Sequence, residues 1–294
     1  MQSNNNHSKG EKVSNLITRT LTGILFVVVM VGGVLYSPIT CVLLFLLITL
    51  LSVWEFSGLV NARQDVQVNR FITTLAAVCL YLGFFGYAAG VGAAVPLFVP
   101  WLLSMIYLLV TELYLGRENP LNNWAYSMMA QIYVALPFSL LSLLLFQPAG
   151  GVVAVDPSPR AGAYLILSIF VFLWCSDTGA YCCGSLLGKH KLFPSVSPGK
   201  TWEGSVGGGL LTVAASQLVA AYFPVLSAWQ WAGFALVVVV FGTWGDLVES
   251  LMKRRLGIKD SGNILPGHGG MLDRFDSSLL AIPAVVCYLY SLNI

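Results

Sequence analysis

Residues 21–59 read LTGILFVVVMVGGVLYSPITCVLLFLLITLLSVWEFSGL, and Glu55 is the only charged residue among them. A membrane helix needs about 20 apolar residues. Two runs of that order, 21–36 and 39–59, flank the break at Ser37-Pro38. Proline kinks or breaks a helix interior, so the Ser37-Pro38 step reads as the turn of a tight hairpin of two membrane-spanning helices. The rest of the chain has the same character. Of 294 residues, 57% are hydrophobic and 10% are charged, against about 25% charged in a soluble domain. Mean hydropathy is +0.79. So few charges cannot cover a water-facing surface, and disorder or a fibrous repeat is excluded. With 15 Lys+Arg against 13 Asp+Glu, the net charge is +2. No basic surplus exists to neutralise a phosphate backbone, so a nucleic-acid partner is excluded. The solvent of most of this chain is lipid.

Nine apolar runs emerge between the charges and the Pro/Gly breaks: 21–36, 39–59, 72–89, 94–114, 127–146, 162–180, 205–224, 228–245 and 275–294. The reading is an all-α polytopic integral membrane protein of about nine transmembrane helices. The weakest separations are at Ala88–Ala94 and at the charged end of 162–180. Residues 1–18 form a flexible polar start without the apolar core of a signal peptide, and the run from Leu21 is too long for a signal h-region. With that start in the cytoplasm, Lys9, Lys12, Arg19, Arg63, Arg70, Arg117 and every basic residue from Lys189 to Arg274 fall inside, and Arg160 alone falls outside. Cytoplasmic loops carry such an excess of Lys and Arg. The pattern calls for an odd number of spans with Ile294 on the far side. No internal repeat of broken helices is visible, which argues against an alternating-access transporter. The six cysteines form no CxxC pair and read as core or lipid-facing residues. Trp54, Trp101, Trp124, Trp229 and Trp231 lie near span ends, where interfacial anchors belong.

Polar chemistry is confined to a few places. Residues 19–160 form an N-terminal helical region. Residues 161–294 form a catalytic region with two cytoplasmic loops, 181–203 and 246–276. Asp177 stands at the inner end of an apolar run beside Ser176, Thr178 and Gly179. A carboxylate so close to hydrocarbon is costly and marks function. In GKHKLFPSVSPGKTWEG, residues 188–204, the Gly199-Lys200-Thr201 step is P-loop-like, but Pro194 stands where a Walker motif needs glycine, and no strand is expected there. What survives is a set of phosphate-type donors, Ser197, Lys200 and Thr201, with Glu203 nearby. Trp202 is expected to pack this loop on the membrane surface. Residues 245–276 are the richest. Asp246, Glu249 and Lys253 share one helical face, and the helix should end at Gly257. Asp273 and Asp276 are three apart at the start of the last span. Asp246, Asp273 and Asp276 could converge on one divalent cation, and oxygen ligands suit Mg²⁺ shared with substrate phosphates. Lys253, Arg254, Lys259 and Arg274 are candidate phosphate clamps. Gly267, Gly269 and Gly270 permit close backbone approach to a ligand, and His268 is a candidate for proton transfer or phosphate binding. Glu55, near the inner end of the second run, is a candidate to line the same site.

The run Ser250-Leu-Met-Lys253-Arg254-x4-Lys259-Asp260-Ser-Gly262-x2-Leu265-Pro266-Gly267-His268-Gly269-Gly270-Met-Leu-Asp273-Arg274-Phe-Asp276 resembles the signature of the phosphatidate cytidylyltransferase family. Asp177-Thr178-Gly179-Ala180-Tyr181 and Ser197-Pro198-x-Lys200-Thr201-Trp202-Glu203-Gly204 resemble two further blocks of it. Gly199 departs from the pattern, because many members carry a second lysine there. The resemblance is dense over 173–280 and thin before it, where it rests on hydropathy and Trp54-Glu55-Phe56. It implies condensation of CTP with phosphatidic acid to CDP-diacylglycerol and pyrophosphate. It also implies Mg²⁺ with a monovalent cation such as K⁺, a homodimer and the bacterial inner membrane. Asp246 and Asp273 match the family's metal ligands, with Asp276 as a third candidate. The expected catalytic set is Asp246, Lys253, Arg254, Lys259, Asp260, His268, Asp273 and Arg274. The expected substrate-binding set is Asp177, Ser197, Lys200, Thr201, Glu203, Gly267, Gly269 and Gly270. The competing enzyme reading is a CTP-dependent transferase or kinase acting on another membrane lipid such as a polyprenol.

Overall fold

The computed structural model describes residues 3–146, 160–262, 264 and 269–292, with side chains from Thr20 onward, Ala94 excepted. The helices are α1 (Ser3–Tyr36), α2 (Pro38–Val60), α3 (Arg70–Ala88), α4 (Ala94–Leu115), α5 (Pro120–Met129), α6 (Leu136–Phe146), α7 (Ala161–Leu187), α8 (Trp202–Tyr222), α9 (Ala228–Arg255) and α10 (Leu272–Ser291). A π-helical turn, Ala130–Ala135, joins α5 to α6 as one continuous rod. Each of the nine apolar runs falls on a helical segment, and the chain is a polytopic all-α protein apart from one small hairpin. Seven helical segments among the described residues are long and apolar enough to cross a membrane: Pro38–Val60, Arg70–Ala88, Val95–Leu115, Pro120–Phe146, Ala161–Leu187, Trp202–Tyr222 and Ala228–Arg255. The apolar part of α1, Thr20–Tyr36, is shorter. Helix α10 carries Asp273, Arg274 and Asp276 in its first two turns.

Short polar residues start these helices where the chain turns. The Ser37 hydroxyl accepts from Thr40 N at 3.1 Å, and the Thr40 hydroxyl accepts from Ser37 N at 3.0 Å, with Pro38 in the first turn of α2. Ser227 and Gln230 make the same reciprocal box at the start of α9. Asn69 and Thr201 cap α3 and α8. Helix N-termini leave N–H groups without intrahelical partners, and in lipid such groups must be satisfied within the protein.

The core is aromatic at its centre. Phe275 of α10 packs edge-on against Phe138 of α6 at 5.4 Å and Phe170 of α7 at 6.0 Å, and Phe45 of α2 stacks on Phe170 at 5.7 Å. Four helices thus close around one ring cluster, which sets α10 in the middle of the bundle. Trp231 is a correction to the sequence reading. It is fully buried, packs on Phe172 and Phe234, and donates its indole N–H to Phe223 O at 3.1 Å. A helix-start tryptophan serves the core when its ring faces inward and its N–H finds a carbonyl. Trp202, expected to pack the polar loop, is 57% exposed.

The connections after α2, α4, α7 and α9 lie together at one end of the bundle. Arg117 reaches Gln67 O, Arg254 Nε reaches Val196 O at 3.5 Å, and Glu55 reaches the Ser261 hydroxyl. Helix α7 continues to Leu187, beyond the apolar run that ends at 180, whereas α9 reaches Arg255, in keeping with the stop expected at Gly257. The described non-helical residues at this end are 188–201, 256–262, 264 and 269–271. Small polar residues such as Ser176–Gly184 interrupt hydropathy without interrupting backbone hydrogen bonding, so the helix runs on. The expectation that no strand occurs here is also corrected. β1 (Lys191–Phe193) and β2 (Ser197–Thr201) pair antiparallel, with Lys191 opposite Thr201 and Phe193 opposite Ser197, around a turn at Pro194. At its N-terminal end the helix α1 begins at Ser3, where the sequence places a flexible polar start.

Candidate active site

Helices α9 and α10 bring the carboxylates together because Gly245 removes a side chain between them. A Cβ on Gly245 would lie 2.7 Å from Asp276 O and 2.9 Å from Ser277 O. Its neighbour Asp246 is thereby pressed against the start of α10. A cavity of about 380 Å³ results, lined by Asp177 of α7, Asp246 of α9, and Asp273, Arg274, Asp276 and Ser277 of α10. It is also lined by Thr22, Gly23, Phe26 and Val27 of α1 and by Trp174 of α7. The lining therefore combines charged and apolar side chains. A second cavity of about 350 Å³ shares Asp177 and adds Ser176, Tyr181, Gly199, Lys200 and Thr201. Asp177 is the common wall, and it has no hydrogen bond or salt bridge among the described residues.

The cations are distributed unevenly. Lys200, carried by β2, pairs with Asp246, and the other Asp246 oxygen accepts from the Ser250 hydroxyl at 3.1 Å. Lys253 bridges Glu249 at 2.5 Å and Asp273 at 2.9 Å. Glu249 is fully buried, and a buried charge requires a counter-charge. Lys253 is thus committed to two carboxylates and braces α9 against α10. Asp273 is held more firmly still, because its second oxygen accepts the N–H groups of Ser261 and Gly270, both at 2.8 Å. Asp276 accepts from the Ser277 N–H at 2.6 Å. Around the cavity five carboxylates, Asp177, Asp246, Glu249, Asp273 and Asp276, face three cations, Lys200, Lys253 and Arg274. Carboxyl groups outnumber cations, and the donors are oxygens. Such a set suits a hard divalent cation. Among the described residues no three His, Cys, Asp or Glu side chains gather closely enough to hold a metal by themselves. Asp246, Asp273 and Asp276 share a cavity without closing into a three-carboxylate cluster. Mg²⁺ fits that arrangement, since it takes one or two carboxylates and completes its shell with water and substrate phosphates.

The remaining predicted residues have definite places. Helix α9 ends as expected: Gly257 takes φ +69, and Ile258 N bonds back to Lys253 O at 3.0 Å. Lys259 and Asp260 are exposed beyond it, outside both cavities. Ser197 lies in β2. Thr201 spends its hydroxyl on capping α8, accepting from Gly204 N at 3.1 Å. Glu203 accepts the N–H groups of Lys189 and His190 at 3.2 Å and contacts His190 Nδ1 at 2.5 Å, so it braces the hairpin rather than lining a cavity. Gly269 and Gly270 approach Asp273 directly. Gly267 and His268 lie outside the described residues. Sequence reasoning missed Thr22, Gly23, Phe26, Val27 and Trp174. They lie in apolar runs, where nothing local distinguishes a cavity wall from a lipid-facing turn. Glu55 does not line either cavity, and its partners are Ser261, Met271 and the first residue of α10, Leu272.

A polytopic helical protein with an acidic, phosphate-suited site at one end of its bundle, lined in part by apolar side chains, belongs to the class of membrane enzymes that work on polar head groups. The model of the cytidylyltransferase family matches residues 17–292, and the chain belongs to that family. A phosphatidate cytidylyltransferase of Staphylococcus haemolyticus is 32% identical over 268 residues, covering 90% of this chain and 95% of that protein. The phosphatidate cytidylyltransferase of Staphylococcus aureus (strain COL) is 32% identical over 276 residues, and that of Staphylococcus saprophyticus is 31% identical over 268, with the same coverage.

Proposed function

We propose that this chain transfers the cytidylyl group of CTP to phosphatidic acid, releasing pyrophosphate and forming CDP-diacylglycerol. The observation that carries the reading is the mixed lining of one cavity: four aspartates and Arg274 together with Phe26, Val27 and Trp174. A phospholipid presents the same combination, a charged phosphate attached to acyl chains. The relatives' names favour nucleotidyl transfer over the lipid-kinase alternative.

In the reaction a phosphatidate oxygen forms a bond to the α-phosphorus of CTP while the bond from that phosphorus to the bridging oxygen breaks, and pyrophosphate carries the electron pair away. A phosphate monoester is largely ionised near neutral pH, with a second pKa of about 6, so little general-base help is needed. The protein's part is placement and charge compensation. Arg274 faces the cavity and holds a phosphate there. Lys200 sits between the two cavities and turns from Asp246 to an incoming phosphate. Asp246 and Asp273 would hold Mg²⁺, with Asp276 beside them. When bound, Mg²⁺ offsets the negative charge of the phosphates. A monovalent cation such as K⁺ belongs to the same reading. So do nine spans with a cytoplasmic N-terminus, a homodimer and the bacterial inner membrane. Fourteen of the fifteen basic residues falling on one side supports the orientation. The exposed apolar faces of α4 and α8, whose apolar stretches are 17% and 22% buried, suit lipid or a second copy.

The test is turnover of purified protein in detergent with labelled CTP, phosphatidic acid and Mg²⁺, following lipid and phosphate products together. CDP-diacylglycerol with pyrophosphate, both lost on chelation, is the expected result. Release of CDP, or labelling of a polyprenol acceptor only, overturns it.

A further inference from the structure

Glu55 is an ionisable residue of α2, far from the family's dense motifs in sequence, and it is 7% exposed. Its carboxylate accepts three donors from the opposite end of the chain. One oxygen takes the Met271 N–H at 2.8 Å, and the other takes the Leu272 N–H at 3.1 Å and the Ser261 hydroxyl. Met271 and Leu272 are the cap and first residue of α10. Their N–H groups lack intrahelical partners and sit at the positive end of the helix dipole. Glu55 is therefore the N-terminal cap of α10, delivered from another helix. Gly262 and Gly270 make room for it: a Cβ on Gly262 would lie 2.9 Å from the carboxylate, and one on Gly270 would overlap it.

The contact leads on to the site. Ser261 donates its hydroxyl to Glu55, donates its N–H to Asp273 at 2.8 Å, and accepts from Asp273 N at 3.3 Å. Gly270, packed on Glu55, gives its own N–H to Asp273 at 2.8 Å. Two of the hydrogen bonds that aim the Asp273 carboxylate thus come from residues seated on Glu55.

We infer that Glu55 is a positioning residue for the transfer reaction, acting through Ser261 and Gly270 to fix Asp273. The inference rests on the proposed role of Asp273 in the site. It assigns Glu55 no contact with substrate. Glu55→Gln keeps the shape but meets three donors with one acceptor oxygen and an NH₂ group. Asp273 then loses its fixed orientation, and a displacement near 1 Å costs about 10²-fold in rate. Ser261→Ala removes the hydroxyl path from Glu55 to Asp273 and leaves the Gly270 path and the Glu55 carboxylate on α10 in place.

The experiment measures kcat and KM for CTP and for phosphatidic acid on E55Q, S261A, the double variant and D273N. Amide exchange of residues 257–272 and of α9 is followed in parallel. The expected result is a kcat loss in E55Q with both KM values nearly unchanged, and faster exchange confined to 257–272. S261A shows a smaller loss, and the double variant is no worse than E55Q, since coupled residues are not additive. Wild-type kcat in E55Q, or exchange accelerated throughout α9 as well, overturns the inference. If E55Q does not fold, wild-type kcat in S261A overturns it. D273N separates the two readings: an active D273N removes the role of Asp273 itself, whereas a dead D273N with a fully active E55Q removes only the role of Glu55.

Discussion

Two polar knots lie at the same end of this bundle, and they are built on opposite principles. In the knot of the N-terminal half, Glu112 is 8% exposed and binds Arg117 at 2.8 Å and Asn123 Nδ2 at 2.9 Å. Asn123 also accepts the Gln67 N–H at 2.6 Å, and Asn122 and Arg63 both hold Asp65. Glu112 and Asp65 each have a cation and further hydrogen bonds there. In the knot of the C-terminal half the carboxylates outnumber the cations, and Asp177 has no hydrogen bond or salt bridge among the described residues. A cavity of about 370 Å³ lies against the N-terminal knot, lined by Asp65, Gln67, Arg117 and Asn123 among others, but that closed network holds elements together with its charges already paired. An open one leaves carboxyl groups that a cation or a cation-bearing substrate complex can pair. The comparison separates scaffold from site without reference to any motif, and the cytidylyltransferase motifs fall on the open knot.

The largest effect should come from emptying the open knot. Asp273→Asn and Asp246→Asn should each lower kcat by about 10²-fold or more, the scale of losing one preorganised electrostatic group. The protein should stay membrane-inserted and monodisperse, as size-exclusion chromatography in detergent will report. Near-normal Mg²⁺-dependent rates in Asp273→Asn would sink the assignment. Next comes Asp177→Asn, on the wall shared by the two cavities. A group that bridges both should cost about ten-fold to 10²-fold, the range for supporting groups around a metal site, with an increase in the Mg²⁺ concentration at half-maximal rate. An unchanged Mg²⁺ dependence would leave Asp177 a mere interfacial residue.

The sequence displays the fold better than it displays the site, and the residues show why. Hydropathy located α3 at 72–89 against the observed Arg70–Ala88, because a lipid-facing helix must be apolar all along its length. It stopped α7 seven residues early, whereas the glycine stop expected at Gly257 placed the end of α9 within two residues of Arg255. Helix continues through Asp177 and Asp246 because backbone hydrogen bonding does not depend on apolar side chains. The aspartates, Lys200 and Arg274 were legible as chemistry, since charge near hydrocarbon is expensive and therefore informative. The convergence of Asp246, Asp273 and Asp276 was legible too, but their sharing a cavity with Asp177 was not, because it depends on Gly245 admitting α10. The apolar lining from α1 and the reach of Glu55 to Ser261 join positions some 150 to 250 and 206 residues apart, and no local spacing encodes such contacts. Thr201 and Glu203 share a block with Lys200, yet they cap a helix and brace a hairpin while Lys200 reaches the carboxylates.

The closed knot supplies the opposite signature. Glu112→Gln should leave kcat within about three-fold of wild type while lowering stability by about 2 kcal/mol, the scale of a hydrogen bond to a charged group. Thermal unfolding in detergent measures the second and the turnover assay the first. A kcat loss as large as that of Asp177→Asn would show that the two knots form one functional unit and would break the distinction between them. The smallest effect belongs to the exposed edge of the same knot. The Arg63 guanidinium bonds Asp65 at 2.6 Å and holds its carboxyl below the ordinary value of 3.8. A depressed carboxyl pKa contributes stability above the unfolded-state value, and that contribution is lost as pH falls through the folded-state value. Arg63→Ala should therefore differ from wild type only slightly at neutral pH, because exposed pairs are weak and screened by salt. The two unfolding temperatures should converge as the pH is taken below 3.8. A gap that widens in acid would mean that Arg63 acts through something other than Asp65, and its stacking near Tyr126, with the guanidinium 5.9 Å from the ring centre, is the contact to examine.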